Sequence, residues 1–194
     1  KYQFNWFLDE AHALGWYGAT GSGLAEAMGV LEQVDLLIGT LGKALASSGA
    51  YTIFKQSWMR DYCINEAAEF IYSTYLPPAA AVAARTAIEL ICRHPQWRTA
   101  AQASARRFRK TLCGQGWDVV GTDSAVVPVL CGDSDQVLAL AARLLQAGIR
   151  VGAIRPPTVA QGQARLRISL KSTLTARDYT HLADCFERSR TRDA

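Results

Sequence analysis

Apolar positions in the first third of this chain fall in short continuous runs, each ending in a polar or glycine-rich turn. Phe4 to Leu8 is one such run and delivers Asp9, Glu10, Ala11 and His12. Leu36, Leu37 and Ile38 form another, followed by Gly39, Thr40, Gly42 and Lys43, and Ala50 to Phe54 a third. Runs of this length fit strands, and the one at Leu36 to Ile38 suits a strand buried on both faces of a parallel sheet. From Lys55 to Phe70, Trp58, Met59, Tyr62 and Ile64 recur at helical spacing, which predicts a packing helix. Pro78 to Arg93 predicts a long alanine-rich helix that starts on a proline, ends at His94 and Pro95, and is slim enough to pack closely on the sheet. The domain boundary is placed there, giving domains 1–94 and 95–194.

The second domain reads as an alternation. Gln96 to Cys113 predicts an amphipathic helix closed by Gly114 and Gly116. Trp117 to Val120, Val126 to Leu130, Ile149 to Ile154 and Ala164 to Leu170 predict strands. Ser134 to Gln146 and Thr175 to Arg190 predict helices, the latter carrying His181 on its surface. Alternation of this kind gives a small α/β layer.

Composition narrows the class. With 49% hydrophobic and 20% charged residues over 194 positions, the chain has ordinary globular make-up and enough length for a real core. No apolar stretch approaches the ~20 residues that span a bilayer. The five cysteines are widely spaced without a CxxC pair, which reads as reduced thiols of a cytoplasmic protein, with neither disulfides nor a metal site. The net charge of +4 is concentrated in Arg106, Arg107, Arg109 and Lys110 and in the tail from Arg188 to Arg192. Such runs read first as solvated helix faces, with attraction of an anionic partner as the alternative.

The candidate chemistry sits at the ends of the first two runs, where open α/β sheets hold their ligands. Lys43 lies among glycine, alanine and serine with no acidic neighbour, a setting that suits imine formation; a solvated loop lysine is the alternative on these residues alone. Asp9, His12 and Thr40 emerge nearby in this reading. An amine, a carboxylate and hydrogen-bond donors are what pyridoxal phosphate requires: the amine for its aldehyde, the carboxylate for its ring nitrogen, the donors for its hydroxyl and phosphate. The glycines at 15, 18, 21 and 23 form a mobile, tightly turning loop that shapes the approach to the ring, and they match neither the Rossmann nor the Walker spacing. The DEAH tetrapeptide also invites a reading in which Asp9 and Glu10 serve a magnesium-bound nucleotide. That reading needs a GxxxxGK[ST] loop, which Gly39 to Ala44 does not supply. In the strand at Ala164 to Leu170, Arg165 and Arg167 share a face, and the planar fork of either could clamp a carboxylate.

Taken together, DEAH, GTLGK, IYSTYLPP at Ile71 to Pro78, and RPPTVAQGQARLRISL at Arg155 to Leu170 resemble the α-oxoamine synthases along nearly the whole chain. These are pyridoxal phosphate enzymes that condense an amino acid with an acyl thioester and lose carbon dioxide. The resemblance implies an α/β chain of fold-type I (aspartate aminotransferase-like), here a partial large domain plus a small C-terminal α/β domain, and roughly the C-terminal half of a longer enzyme. It implies Lys43 as the cofactor lysine, Asp9 on the ring nitrogen, His12 on the ring hydroxyl, and Thr40, Ser73 and Thr74 on the phosphate. It makes Arg167 the carboxylate clamp and brings Thr158 to the acyl substrate. Ser73 and Thr74 would reach the cofactor of a neighbouring subunit, which implies a homodimer. Amino acid and acyl-CoA or acyl-carrier-protein are the implied partners, without nucleic acid or membrane. The arginine-rich strand and RPPTV look most like the member that joins L-alanine to a pimeloyl thioester. Glycine-using relatives and a catalytically incomplete fragment are the alternatives.

Overall fold

The computed structural model describes residues 4–121 and 123–190; the opening at Lys1 and the part of the basic tail beyond Arg190 lie outside the described residues. The chain divides into two units, Lys1–Arg98 and Thr99–Ala194.

The first unit is built on a three-stranded sheet of order β1-β2-β3, with β1 Phe7–Asp9, β2 Leu36–Thr40 and β3 Ala50–Phe54. β1 runs parallel to β2 with Asp9 level with Ile38, and β3 returns antiparallel with Ala50 level with Thr40. Asp35 ties the opposite end of the sheet: its carboxylate accepts from the Trp6 amide at 2.8 Å, and its carbonyl accepts from the Lys55 amide at 2.9 Å.

Period two divides the two faces. Leu8, Leu37, Gly39 and Tyr51 share one side, where Leu37 packs with Ala25 and Val34 against Trp6, Leu8, Val30 and Tyr51. Phe7, Asp9, Ile38 and Thr40 take the other side, on which Phe7 is 59% exposed and Ile38 38%. β2 is therefore covered on one face only and sits in a mixed sheet, which corrects the expectation of a strand buried on both faces. Its sequence is apolar on both sides, but on the second side Leu36 is only half-buried and Ile38 is exposed.

The helices of this unit are α1 (Leu24–Ala27), α2 (Ser57–Glu66), α3 (Ala68–Ile71) and α4 (Pro78–Arg93), with a 3-10 turn at Leu31–Gln33. The expected single helix from Lys55 to Phe70 is broken at Ala67, whose ψ of 104° is extended. Of α2 only Met59 is buried, while Trp58 and Tyr62 stand exposed. The stripe predicted here is covered at Met59 and left exposed at Trp58, Tyr62 and Ile64. α4 begins with Pro78 at its first turn, where the missing N–H costs nothing, and stops at His94. Its buried Ala84 is small enough for Leu41 and Leu45 to close against it.

In the second unit, α5 (Pro95–Gly114), which starts in the first, is followed by β4 (Val126–Gly132), α6 (Ser134–Gln146), β5 (Gly152–Ile154), β6 (Ala164–Ser169) and α7 (Ala176–Arg190). The sheet has order β4-β6-β5 and is antiparallel throughout. α6, capped by the Asp133 carboxylate that accepts from the Gln136 amide at 2.8 Å, packs on all three strands and on α7. A reciprocal box opens α7: the Thr175 amide donates to the Asp178 carboxylate, and the Asp178 amide to the Thr175 hydroxyl. Phe186, fully buried, meets Phe108 and Trp117 edge-on at centroid distances of 6.5 and 5.4 Å.

Two expectations fail here. Trp117 to Val120 is not a strand and makes a single bridge, Val119 to Val129. The Val120 amide donates to the Pro128 carbonyl, and Pro128 has no N–H to return the bond, so the ladder stops. Arg109 is not part of a solvated face: it donates to the carbonyls of Val120, Ser124 and Val126 and so holds the approach to β4, whereas Arg106, Arg107 and Lys110 are exposed.

Phe186→Ala should lower the stability of the second unit by about 3–5 kcal/mol, because a fully buried ring leaves a cavity that only partly collapses. Urea unfolding followed by the fluorescence of Trp117, with the other tryptophans replaced, measures it.

Candidate active site

Because β1 and β2 are parallel, their carboxyl ends lie at one end of the sheet, and the polar residues of the first unit are carried there. Asp9 closes β1, and Thr40 closes β2 on the same face. The Asp9 Oδ1 accepts from the Ala11 amide at 2.8 Å, an Asx turn that fixes the plane of an exposed carboxylate. His12 follows on the outside of the next turn, in which the Ala13 and Leu14 amides donate to the Glu10 carbonyl.

Lys43 is exposed at the apex of the loop after β2, between two buried leucines, Leu41 and Leu45. Leu41 and Leu45 pack with Ala84 of α4, beside Leu14 and Tyr51, while Lys43 is left exposed. The loop is closed by Leu41 N to Gly49 O at 2.9 Å and Ser47 N to Leu41 O at 2.8 Å, and Ser47 Oγ donates to the Ala80 carbonyl of α4 at 2.7 Å. Ala46 pays for the tight return with a φ of 49°. Among the described residues no carboxylate pairs with Lys43. Thr40 Oγ1 donates to the Gly49 carbonyl at 3.3 Å and accepts from the Gly42 amide at 3.2 Å, so its hydroxyl staples the same loop. To reach a phosphate it would have to release Gly49.

The segment after Asp9 is held from beneath. Glu10, 2% exposed, accepts from the Leu24 amide at 3.0 Å and the Ala25 amide at 2.7 Å. Gly23 lies flat on that carboxylate with φ 131°; a Cβ there would sit 2.8 Å from the carboxyl carbon. Farther round the loop, Glu26 accepts from the Thr20 and Ser22 amides and the Thr20 hydroxyl, and Arg98 donates to the Ala19 carbonyl. The glycine loop is therefore stapled, not mobile. The nucleotide reading of DEAH also loses Glu10, whose carboxylate is buried on two backbone amides. Burial and the Glu10 charge together push the Tyr51 phenol above its ordinary range. Gly39 makes room for that ring, since a Cβ there would fall 2.2 Å from Tyr51 Cζ.

Ser73 and Thr74 lie on the exposed stretch between α3 and α4, flanked by Tyr72 at 87% and Tyr75 at 85% exposure. The Ser73 hydroxyl donates to the Glu69 carbonyl. The remaining predicted site residues belong to the second unit. Arg165 and Arg167 do share the outer face of β6, but they differ: Arg165 donates to the Gln163 backbone carbonyl at 2.9 Å and side-chain carbonyl at 3.1 Å. Arg167 is exposed between Pro128 and Gly152, two residues that leave its guanidinium room. Thr158 stands in an exposed turn, its amide donating to the Arg155 carbonyl at 3.0 Å. The sequence reading missed Glu26 and Arg98, and gave Glu10 only the nucleotide role. The one local signal was Glu10, next to Asp9 in a stretch that has no lysine or arginine from Tyr2 to Gly42.

A profile of the family described as aminotransferase class I and II matches residues 1–186. The 8-amino-7-oxononanoate synthase of Geobacter metallireducens is 42% identical over 174 residues, 88% of this chain and 44% of the relative. A putative 8-amino-7-oxononanoate synthase of Geobacillus kaustophilus is 39% identical over 186 residues, 95% of this chain and 47% of the relative. Among solved structures, serine palmitoyltransferase with its pyridoxal phosphate internal aldimine matches with a TM-score of 0.91 at 26% identity, over 96% of this chain and 47% of that one. The chain spans about half the length of the curated relatives it matches.

The backbone hydrogen bond from Thr20, with those from Ser22 and the Thr20 hydroxyl, holds the Glu26 carboxyl below the usual range against the opposing effect of burial. A carboxylate whose folded pKa is depressed contributes above its unfolded pKa and loses that contribution as pH falls through the folded value. The Thr20 and Ser22 amide proton resonances should thus titrate together with a midpoint below about 4.3, the ordinary glutamate value. Glu26→Gln should abolish both titrations.

Proposed function

Because the chain belongs to the aminotransferase class I and II family and has the fold-type I, aspartate aminotransferase-like architecture, we propose that it serves the decarboxylative condensation of L-alanine with a pimeloyl thioester, the 8-amino-7-oxononanoate synthase reaction of biotin biosynthesis. The observation that carries this reading is the parallel β1–β2 pair, with Asp9 and the Lys43 loop at the same end of one sheet. The donor set suits pyridoxal phosphate: an exposed amine without an acidic partner, a carboxylate of fixed orientation, and hydroxyls. In this reading Lys43 would bond the aldehyde carbon, Asp9 would serve the ring nitrogen, His12 the ring hydroxyl, and Thr40, Ser73 and Thr74 the phosphate.

The bound cofactor supplies an electron sink for a carbanion at the amino acid Cα. The chain's own residues do the rest. Lys43 Nζ, once free of the aldehyde carbon, would take the α-proton and later return one, and Leu41 and Leu45 anchor the loop that carries it. Asp9 would help keep a proton on the ring nitrogen. Arg167 holds the amino acid carboxylate with its planar fork, and Thr158 touches the acyl chain of an acyl-CoA or acyl-carrier-protein donor. The exposed Tyr72–Tyr75 stretch supports a homodimer in which Ser73 and Thr74 serve the neighbouring subunit's site. The free cysteines support a cytoplasmic setting, and among the described residues no helix is long and apolar enough to cross a membrane.

A second reading, in which the chain by itself is catalytically incomplete, is favoured by the uncovered face carrying Phe7 and Ile38 beside Asp9.

Borohydride reduction in the presence of pyridoxal phosphate should leave the cofactor on Lys43 in preference to Lys55, Lys110 and Lys171, as read by peptide mass mapping. Lys43→Ala should remove that label, and Asp9→Ala should weaken it. Label spread evenly over the lysines would overturn the cofactor assignment. Carbon dioxide release from L-alanine with pimeloyl thioester, against glycine with acetyl or succinyl thioester, then fixes the substrate pair. A label on Lys43 without any release supports the second reading.

A further inference from the structure

Glu10 stands out among the charged groups of the chain. It is 2% exposed, it makes no ion pair among the described residues, and its two oxygens are spent on the amides of Leu24 and Ala25. Its backbone is equally committed. The Glu10 amide donates to the Ile38 carbonyl of β2 at 2.8 Å, and its carbonyl accepts from Ala13 and Leu14 at 2.9 and 3.0 Å. One residue thus joins the end of β1, the strand beside it, the turn bearing His12 and the start of α1. Asp9 precedes it directly and His12 follows within that turn.

A carboxylate is a costly group to bury without a cation, so its retention needs compensation from strong hydrogen bonds. Two amide donors at 2.7 and 3.0 Å supply it, and Gly23 keeps the approach open, because any side chain there would collide with the carboxyl. A neutral side chain of the same size cannot replace it. Glutamine has one acceptor for two donors and would turn an N–H toward one of them.

We propose that Glu10 is a positioning residue of the site: by locking the Leu24 and Ala25 amides beneath the end of β1, its carboxylate sets where the Asp9 carboxylate and the His12 imidazole stand. The consequence for cofactor binding rests on the reading given under Proposed function; the positioning itself does not. Glu10 touches neither cofactor nor substrate in this scheme and acts only through its neighbours.

The test uses the 194-residue chain and two variants that disturb the lock from opposite sides. Glu10→Gln removes the charge and one acceptor; Gly23→Ala leaves every charge in place and pushes a methyl onto the carboxyl. In both, hydrogen exchange at the Leu24 and Ala25 amides should rise about tenfold, the weight of one charge-assisted hydrogen bond. The Ala11 amide, which reports the Asp9 carboxylate, and the His12 ring resonances should shift in both, while His94, His181 and the β2–β3 amides stay unchanged. With pyridoxal phosphate and borohydride, labelling of Lys43 should fall in both variants.

Ala11 and His12 resonances that stay in place while the Leu24 and Ala25 amides loosen would reduce Glu10 to a helix cap and overturn the proposal. Uniform loosening of all amides of the first unit would overturn it as well, since that is the mark of general destabilisation. Absence of label on Lys43 in the unaltered chain would count against the cofactor reading alone, because the Ala11 and His12 signals decide on Glu10 without cofactor.

Discussion

The parallel register of β1 against β2 is the constraint on which the first unit depends. A parallel pair cannot be joined by a tight turn; it needs a crossover of a dozen or more residues, usually a long helix. Here the crossover from Glu10 to Asp35 contains only the four-residue α1 and a 3-10 turn, and the rest is glycine-rich loop. Such a connection has little helical hydrogen bonding of its own. Carboxylates replace it: Glu10 at the near end, Glu26 across the middle, Asp35 at the far end, each accepting backbone N–H groups that would otherwise be orphaned. With the register held, Asp9 and Thr40 fall on one face and at one end of the sheet, and the Lys43 loop begins beside them.

The division of labour around Lys43 follows the same economy. In the loop after β2, Leu41 and Leu45 are buried while Gly42, Lys43 and Ala44 between them are exposed. The leucines bury against Ala84 of α4, and Ser47 hydrogen-bonds the first turn of that helix. An otherwise flexible segment thus acquires rigid anchors on both sides of its one amine. That is what a covalent or proton-transfer role demands of a lysine, whose four-carbon stem is already free to swing.

Where hydrophobic period and punctuation coincided, the sequence was legible. α4, between Pro78 and His94, α6, ended by Gly148, and β6, with its two arginines on one face, lie where the pattern predicts them. What the pattern could not convey was whether an apolar stripe has anything to pack on. Leu36 to Ile38 and the Trp58, Tyr62 and Ile64 stripe carry the signature of buried elements, yet Ile38, Trp58, Tyr62 and Ile64 are exposed. Periodicity records the preference of a side chain, and burial depends on a second surface. Long-range polar contacts were equally invisible: the distances in sequence from Glu10 to Ala25 and from Arg98 to Ala19 exceed any local motif. The Trp117 to Val120 error has a different source, because Pro128 on the partner strand ends the ladder and a strand's own residues do not reveal its partner's missing donor.

The two units differ in how they are stabilised, and the difference bears on function. In the second, Phe108, Leu112, Val127, Val129, Leu144, Leu166 and Phe186 are almost wholly buried, and its large apolar side chains exposed among the described residues are Leu138 and Leu145. In the first, apolar burial is limited to small clusters around Leu37 and Leu45 and to Met59, while Phe7, Trp58, Tyr62, Phe70, Tyr72 and Tyr75 are exposed. Each of those side chains leaves in water apolar area whose burial would contribute roughly 25 cal/mol per Å². The polar residues of the candidate site, Asp9, His12 and Lys43, lie in the unit that carries this deficit. The carboxylate staples matter most there: in a unit with a thin apolar core, hydrogen bonds from Glu10, Glu26 and Asp35 are what fix the polar side chains at the end of the sheet, and geometry at that end depends on them more than on packing.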